Sequence, residues 1–432
     1  MSGAPRQPLV GPGPDPAADF VAVDQPLAAF EGCGIEVEYA IVDAAGAVAP
    51  ICDRLLTDAT GQVQNSVERP PMAWSNELAA HVCEVKSLRP VQQPALLRPW
   101  LRQEIACLSE RLAASGHALL PGPTHPWMDP ARETRLWPHE DAAIYEAFDR
   151  IFDCRRHGWG NCQSVHLNLP FADAAEFAAL HQAIRAVLPL IPGLAAASPY
   201  QDGRFTGRLD SRLFHYVHHC DRVAEVCGRV VPERIDSWQG YESLVYRPLR
   251  RAVVDIPAAD ILDPVWLNAR GAIARFDRQA IEIRLLDSQE CPSADLALAA
   301  LVAALVRALM TERWCDGALR DGLSTTMLRT VLDRAIRDAD EALVADASYL
   351  EVLGWPASGP ARLGDLWWHF FQHCADDPWL QGWIGDLLPA LMRRGPLARL
   401  LLQRAGTTPS RQDLLALQGD LRGALQRDEA LL

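Results

Sequence analysis

The stretch Gly34-Ile35-Glu36-Val37-Glu38-Tyr39-Ala40-Ile41-Val42 decides how the rest of the chain is read. Ile35, Val37, Tyr39 and Ile41 alternate with Glu36 and Glu38. A period of two is the mark of a strand with one buried face. Both glutamates then point to the same side, roughly 7 Å apart at strand rise. Adjacent carboxylates repel unless something positive lies between them. A divalent cation answers that need, and hard oxygen donors suit Mg²⁺. A solvated face of an antiparallel sheet also carries glutamates. The other strands must decide between the two readings.

Residues 30–42 form the first strand, with a turn at 44–46 and a short return strand at 47–49. Residues 53–71 read as a polar loop. In the segment 74–86, residues 81–86 read as a strand with Glu84 and Lys86 on one face. Glu77 has the opposite parity to Glu84, so both reach one site only if the chain bends or bulges between them. Apolar residues at helical spacing predict a helix over 93–115, stopped by Gly116. A short strand is expected at 117–120, then a proline-rich loop at 122–130 and a helix over 139–154. Residues 163–169 alternate cleanly: Ser164, His166 and Asn168 on one face, Val165, Leu167 and Leu169 on the other. That polar face carries ligand-type side chains and none of the Lys, Thr or Glu of a solvated face.

Asp173 caps a helix reaching 190, and a second helix is expected over 208–220. A strand is expected at 251–256. Residues 265–276 and 280–286 read as a hairpin, with Glu282 and Arg284 on one face of its second strand. From Ser293 onward every segment reads as helix: 294–310, 328–345, 365–374, 380–393, 396–403 and 410–426. The fold class is α+β, an antiparallel sheet of non-adjacent strands followed by a helical C-terminal region. Three units are expected: a loose Pro/Gly-rich tail over 1–28, a catalytic unit over 29–313 and the helical region over 314–432.

Composition narrows the function. At 432 residues with 49% apolar content the chain supports a sizeable core. A formal net charge of −14 disfavours nucleic acid or anionic lipid as a partner. Lysine is scarce and arginine plentiful, which favours planar bidentate contacts to carboxylate or phosphate. The 11 cysteines show no CxxC pair, as expected of reduced thiols in a cytosol. The first twenty residues lack the apolar core of a signal peptide. The apolar run 296–310 is short for a bilayer and contains Arg307. A cytoplasmic protein without a membrane partner is expected.

Four separated segments thus offer acid or imidazole on a strand face or strand end: Glu36 and Glu38, Glu77 and Glu84, His166, and Glu282 beside Arg284. Gathered together they would make a poor core and a good multi-Mg²⁺ site for phosphoryl transfer. Taken singly each has an ordinary explanation. Glu77 could be a surface loop residue, Glu84 a partner for Lys86, His166 a satisfied core histidine, and Glu282 with Arg284 an ion pair on the sheet. A Cys162–His166 nucleophile is disfavoured, since four strand residues hold the two roughly 13 Å apart. No GxSxG elbow and no phosphate-binding GK[ST] loop is present.

The motifs GIEVEY, NELAAHVCEVKS, QSVHLNLPF, SPYQDGRFTGRLDSRLF and AIEIRLLDSQECP occur in an order that resembles the glutamate–cysteine ligase type 2, or carboxylate–amine ligase, family. The resemblance covers about 30–313. It implies a glutamine-synthetase-like fold, in which a curved antiparallel sheet forms a funnel, and an ATP-driven synthesis of an amide bond. By motif it implies Glu36, Glu38, Glu77, Glu84, His166 and Glu282 as Mg²⁺ ligands and Arg284 as a nucleotide-phosphate contact and catalytic residue. Lys86 falls in the second motif as a further nucleotide contact. Arg208 and Arg212 resemble residues that hold the amino-acid substrate or phosphate. ATP and Mg²⁺ are the implied cofactors, glutamate and an amine such as cysteine the implied small-molecule substrates, and glutathione biosynthesis the implied context. A homodimer stays open. No cysteine-recognition motif is found, so the amine stays open too. The alternatives are the same chemistry on another amino acid or a peptide, a non-catalytic nucleotide-binding relative, and a phosphagen-kinase-like transfer.

Overall fold

In the computed structural model, which describes residues 26–58, 60–257, 259–374, 377 and 387–432, the alternating stretch is strand β1 (Gly34–Val42). It lies at the centre of an antiparallel sheet built with β2 (Ser66–Arg69), β3 (Met72–Asn76), β4 (Val82–Ser87), β5 (Ala118–Leu120) and β6 (Ser164–Pro170). A small separate hairpin, β7 (Tyr200–Gln201) with β8 (Arg204–Phe205), precedes the last two strands of the large sheet. These are β9 (Ala272–Arg275) and β10 (Ala280–Asp287), and the strand order is β2-β3-β4-β1-β6-β10-β9.

Two features bend this sheet. One edge of β1 is shared: residues 34–37 pair with β6 and residues 40–42 pair with β5. The sheet therefore opens at Glu38. Between β10 and β6 the register shifts after Ile283, so that Arg284 and Leu285 face His166 alone. An extra residue of this kind sharpens twist and re-aims side chains.

The apolar face follows the period of two. Ile35, Val37, Tyr39 and Ile41 are fully buried, as are Leu167, Leu169, Ile281 and Ile283. Complete burial stabilises each aliphatic side chain by about 1.5–3 kcal/mol. The helices Leu97–Ala113, Ala174–Val187 and Pro292–Met310 pack together behind this sheet. Pro292–Met310 is long and apolar enough to cross a membrane, yet 89% of its apolar window is buried inside the protein. It is the central core helix, and its burial on all sides explains its uniform apolarity.

Several expectations need correction. Residues 251–256 are not a strand: helix Arg247–Val253 occupies that region, because Leu249 and Val253 are buried four residues apart on one helical face. The first arm of the expected 265–276 hairpin is mostly lost. Asp263 caps a short helix, Pro264–Leu267, by accepting from the Val265 amide at 2.7 Å, and the strand begins only at Ala272. The 208–220 helix shrinks to Ser211–Tyr216, set by its Asp210 cap. The polar loop at 53–71 contains β2, which forms a hairpin with β3.

The region after Ser293 is not wholly helical. Helix Thr325–Asp338 is followed by Leu343–Val344 pairing with Ala361–Arg362. The helix expected over 380–393 lies partly outside the described residues, its described part being Leu387–Arg394. The tail is outside them up to residue 25.

Candidate active site

Four neighbouring strands, β4-β1-β6-β10, bring the acidic motifs to one place. Glu38 stands opposite Glu84 and Glu36 opposite Lys86 in the β1–β4 pair. Glu36 also stands opposite His166, and Glu282 opposite Asn168. The bend required of the 74–86 segment is the β3–β4 turn. The chain leaves β3 at Asn76 and places Glu77 at the mouth of the hairpin. Ligand atoms of Glu36, Glu84 and His166 lie within 4.8 Å of one another, and so do those of Glu38, Glu77 and Glu84. Glu84 belongs to both groups.

The side chains are held tightly. His166 Nδ1 is 3.2 Å from Glu36 Oε2 and 3.3 Å from Glu282 Oε1, while its Nε2 is 2.9 Å from Ser164 Oγ. Asn168 Nδ2 donates to Glu36 Oε1 at 3.1 Å. The Ser164 amide donates to Glu38 Oε2 at 2.7 Å, where the sheet opens. Glu84 accepts from Ser75 Oγ and from Lys86 Nζ, the latter at 2.5 Å. Arg284 Nε lies 2.8 Å from Glu282 Oε1 as an ion pair, although its angle does not make a hydrogen bond. Arg275 Nη1 is 4.0 Å from the other Glu282 oxygen.

The electrostatics are uneven. Burial works to raise Glu36, but the His166 hydrogen bond and the charges of His166 and Lys86 bring it down to about 2. Burial raises Glu38, against the pull of His166. Burial together with the charges of Glu38 and Glu84 pushes Glu77 well above the carboxylate range. Burial opposes the His166 cation, yet Glu36, Glu38 and Glu282 carry it up to about 9. The cations on the protein side are therefore too few for every carboxylate to ionise. An oxygen-rich cluster in that condition fits one or more hard divalent cations.

Of the expected residues, the structure gathers Glu36, Glu38, Glu77, Glu84, Lys86, His166, Glu282 and Arg284. Arg212 is close by but fully enclosed. Its Nε is 2.5 Å from Asp287 Oδ1, both side chains are solvent-inaccessible, and its Nη1 donates to the Arg284 carbonyl at 3.5 Å. Arg208 is not brought into the cluster, its guanidinium lying over the Phe214 ring at 3.7 Å. Sequence reasoning missed Ser75, Arg275 and Asp287. A hairpin reading of 66–76 against 82–87 would have exposed Ser75, since it pairs directly with Glu84.

The family model for glutamate-cysteine ligase family 2 matches residues 33–349. An uncharacterized protein of Archaeoglobus fulgidus is 34% identical over 320 residues, covering 71% of this chain and 85% of its own. Among solved structures, the glutamate–cysteine ligase of Francisella tularensis in complex with AMP superimposes with a TM-score of 0.61 at 12% identity. That match covers 91% of this chain and 88% of the other. A bifunctional glutathione synthetase from Pasteurella multocida gives 0.55 at 14% identity, over 91% of this chain and 53% of its own. These structures share the fold. The chain belongs to glutamate-cysteine ligase family 2 and is a carboxylate–amine ligase.

Proposed function

We propose that this ligase uses ATP and Mg²⁺ to join the γ-carboxylate of glutamate to an amine, with cysteine as the first amine to test. The catalytic unit is placed on residues 29–313, and the family match extends beyond it to 349. The observation that carries the reading is the pair of ligand groups sharing Glu84, with Arg284 and Lys86 at its border. Glu36, Glu38, Glu77, Glu84, His166 and Glu282 would hold Mg²⁺, which supplies charge neutralisation for the phosphates.

The chain's own groups do the rest. Arg284 and Lys86 balance negative charge on the transferring phosphoryl group. An oxygen of the substrate carboxylate bonds to the γ-phosphorus as the β–γ bridge breaks, giving an acyl phosphate and ADP. The amine then attacks the acyl carbon, its N–H proton passes to solvent or phosphate, and inorganic phosphate leaves. Arg212, held through Nε to Asp287 and through Nη1 to the Arg284 carbonyl, positions that strand end, and only its buried Nη2 is left without a hydrogen bond. Arg208, over Phe214 and apart from the cluster, is a candidate for the substrate carboxylate by its motif alone.

The test is the product mass after incubation with glutamate, cysteine, ATP and Mg²⁺, with ADP and phosphate counted in parallel. A γ-glutamyl amide formed with one ADP and one phosphate is expected. ADP release with a different amine, or a stable phosphorylated product without ligation, would replace the substrate assignment.

A further inference from the structure

A second cluster lies outside the acidic one and belongs to no step of the proposed reaction. His219, Cys220 and Cys227 each offer a ligand atom, all within 4.8 Å of one another. They are 3%, 1% and 4% exposed. His219 and Cys220 sit in the turn after helix Ser211–Tyr216, and Cys227 ends the short helix Ala224–Cys227. Cys227 Sγ is 3.7 Å from His219 Nε2. A tetrahedral Zn²⁺ with a sulfur at about 2.3 Å and a nitrogen at about 2.0 Å sets those two atoms about 3.5 Å apart. The backbone is already fixed for such a role. The His219 carbonyl accepts from Arg156 Nη2 at 2.7 Å and from Trp159 Nε1 at 3.2 Å. The imidazole is packed between Trp159 and Tyr216, each with its ring centroid 4.5 Å away. His219 Nδ1 is buried without a hydrogen-bond partner.

We propose that His219, Cys220 and Cys227 form a soft-metal site, of the Zn²⁺ class, that pins this turn to the helix carrying Arg212. Two thiols release their protons to solvent as the cation enters, and the imidazole binds neutral. The filled site carries no net charge from these three ligands, which suits its burial. The donor set separates this site from the oxygen-rich cluster: thiolate prefers zinc or cobalt, carboxylate prefers magnesium. It is independent of the ligase reading.

The test uses the full chain produced with Zn²⁺ or Co²⁺ and passed over a chelating resin. About one equivalent of metal per chain is expected to remain, and the cobalt form should show a sulfur-to-metal charge-transfer absorption. The double variant Cys220→Ser, Cys227→Ser and the single variant His219→Gln should each lose the retained metal. Glu38→Gln should keep it. The absorption of the wild-type cobalt protein tests the ligands even if a variant fails to fold. Absence of retained metal in wild type, a Cys220–Cys227 disulfide in its place, or retention in the double variant would overturn the proposal.

Discussion

Replacing Glu84 by Gln should remove turnover while leaving the fold in place. Glu84 is 3% exposed, accepts from Ser75 Oγ, and is 2.5 Å from Lys86 Nζ. The amide keeps the shape and an acceptor oxygen but removes one negative charge from both ligand groups at once. A unit charge about 4 Å from another is worth about 4 kcal/mol at an effective dielectric of about 20. That corresponds to a loss of about 10³-fold in kcat/KM for ADP release. The structural cost is smaller. Lys86 is 31% exposed along its side chain, so it can turn to water, and about 1–2 kcal/mol is expected in place of the 3–5 of a fully buried broken pair. The assay is ADP release across a Mg²⁺ titration, with a denaturant melt alongside. Activity within tenfold of wild type at ordinary Mg²⁺ would refute the claim that Glu84 serves both groups.

Three further outcomes follow from the same geometry. Of the 41 Lys and Arg residues Lys86 is the one lysine, so an amine-acetylating reagent followed by peptide mapping reads that position alone beside the N-terminal amine. ATP with Mg²⁺ should shield it, and equal labelling with and without nucleotide would count against the Lys86 assignment. Arg212→Met should destabilise the protein by about 3–5 kcal/mol, because Asp287 is left buried and charged without its partner. An unchanged denaturation midpoint would show that the pair is energetically idle. In chelator, His166 is raised to about 9 by its carboxylate neighbours. Its contribution is therefore complete below the ordinary imidazole value and fades as pH climbs through about 9. Melting temperature should fall over that window in wild type and stay flatter in His166→Asn, and parallel curves would contradict it.

Much of this arrangement was legible in the chain itself, because strand parity is a strict rule. Glu36 and Glu38, His166 and Asn168, and Glu282 and Arg284 were each assigned correctly to one face from alternation alone. The sheet then brought those faces together. What alternation could not reveal was register. The two-for-one match of Arg284 and Leu285 against His166 leaves no mark in a single strand's pattern. Short elements set by a cap were also missed, such as Pro264–Leu267 behind Asp263. There a local side-chain hydrogen bond outweighed a run that reads as extended. Arg247–Val253 was lost for the opposite reason, since its apolar stripe is only two residues wide.

The order of strands has a consequence for synthesis. The stretch at 34–42 lies between partners that arrive at 82–87 and 164–170, and the last wall of the pocket, 280–287, comes much later. A growing polypeptide therefore carries Glu36 and Glu38 through most of translation with no pocket to join. Closing such distant pairings is slow and leaves edges open to wrong neighbours. The ribosome must have delivered nearly three hundred residues before nucleotide could be gripped, so severed halves should recover activity only when mixed, never alone.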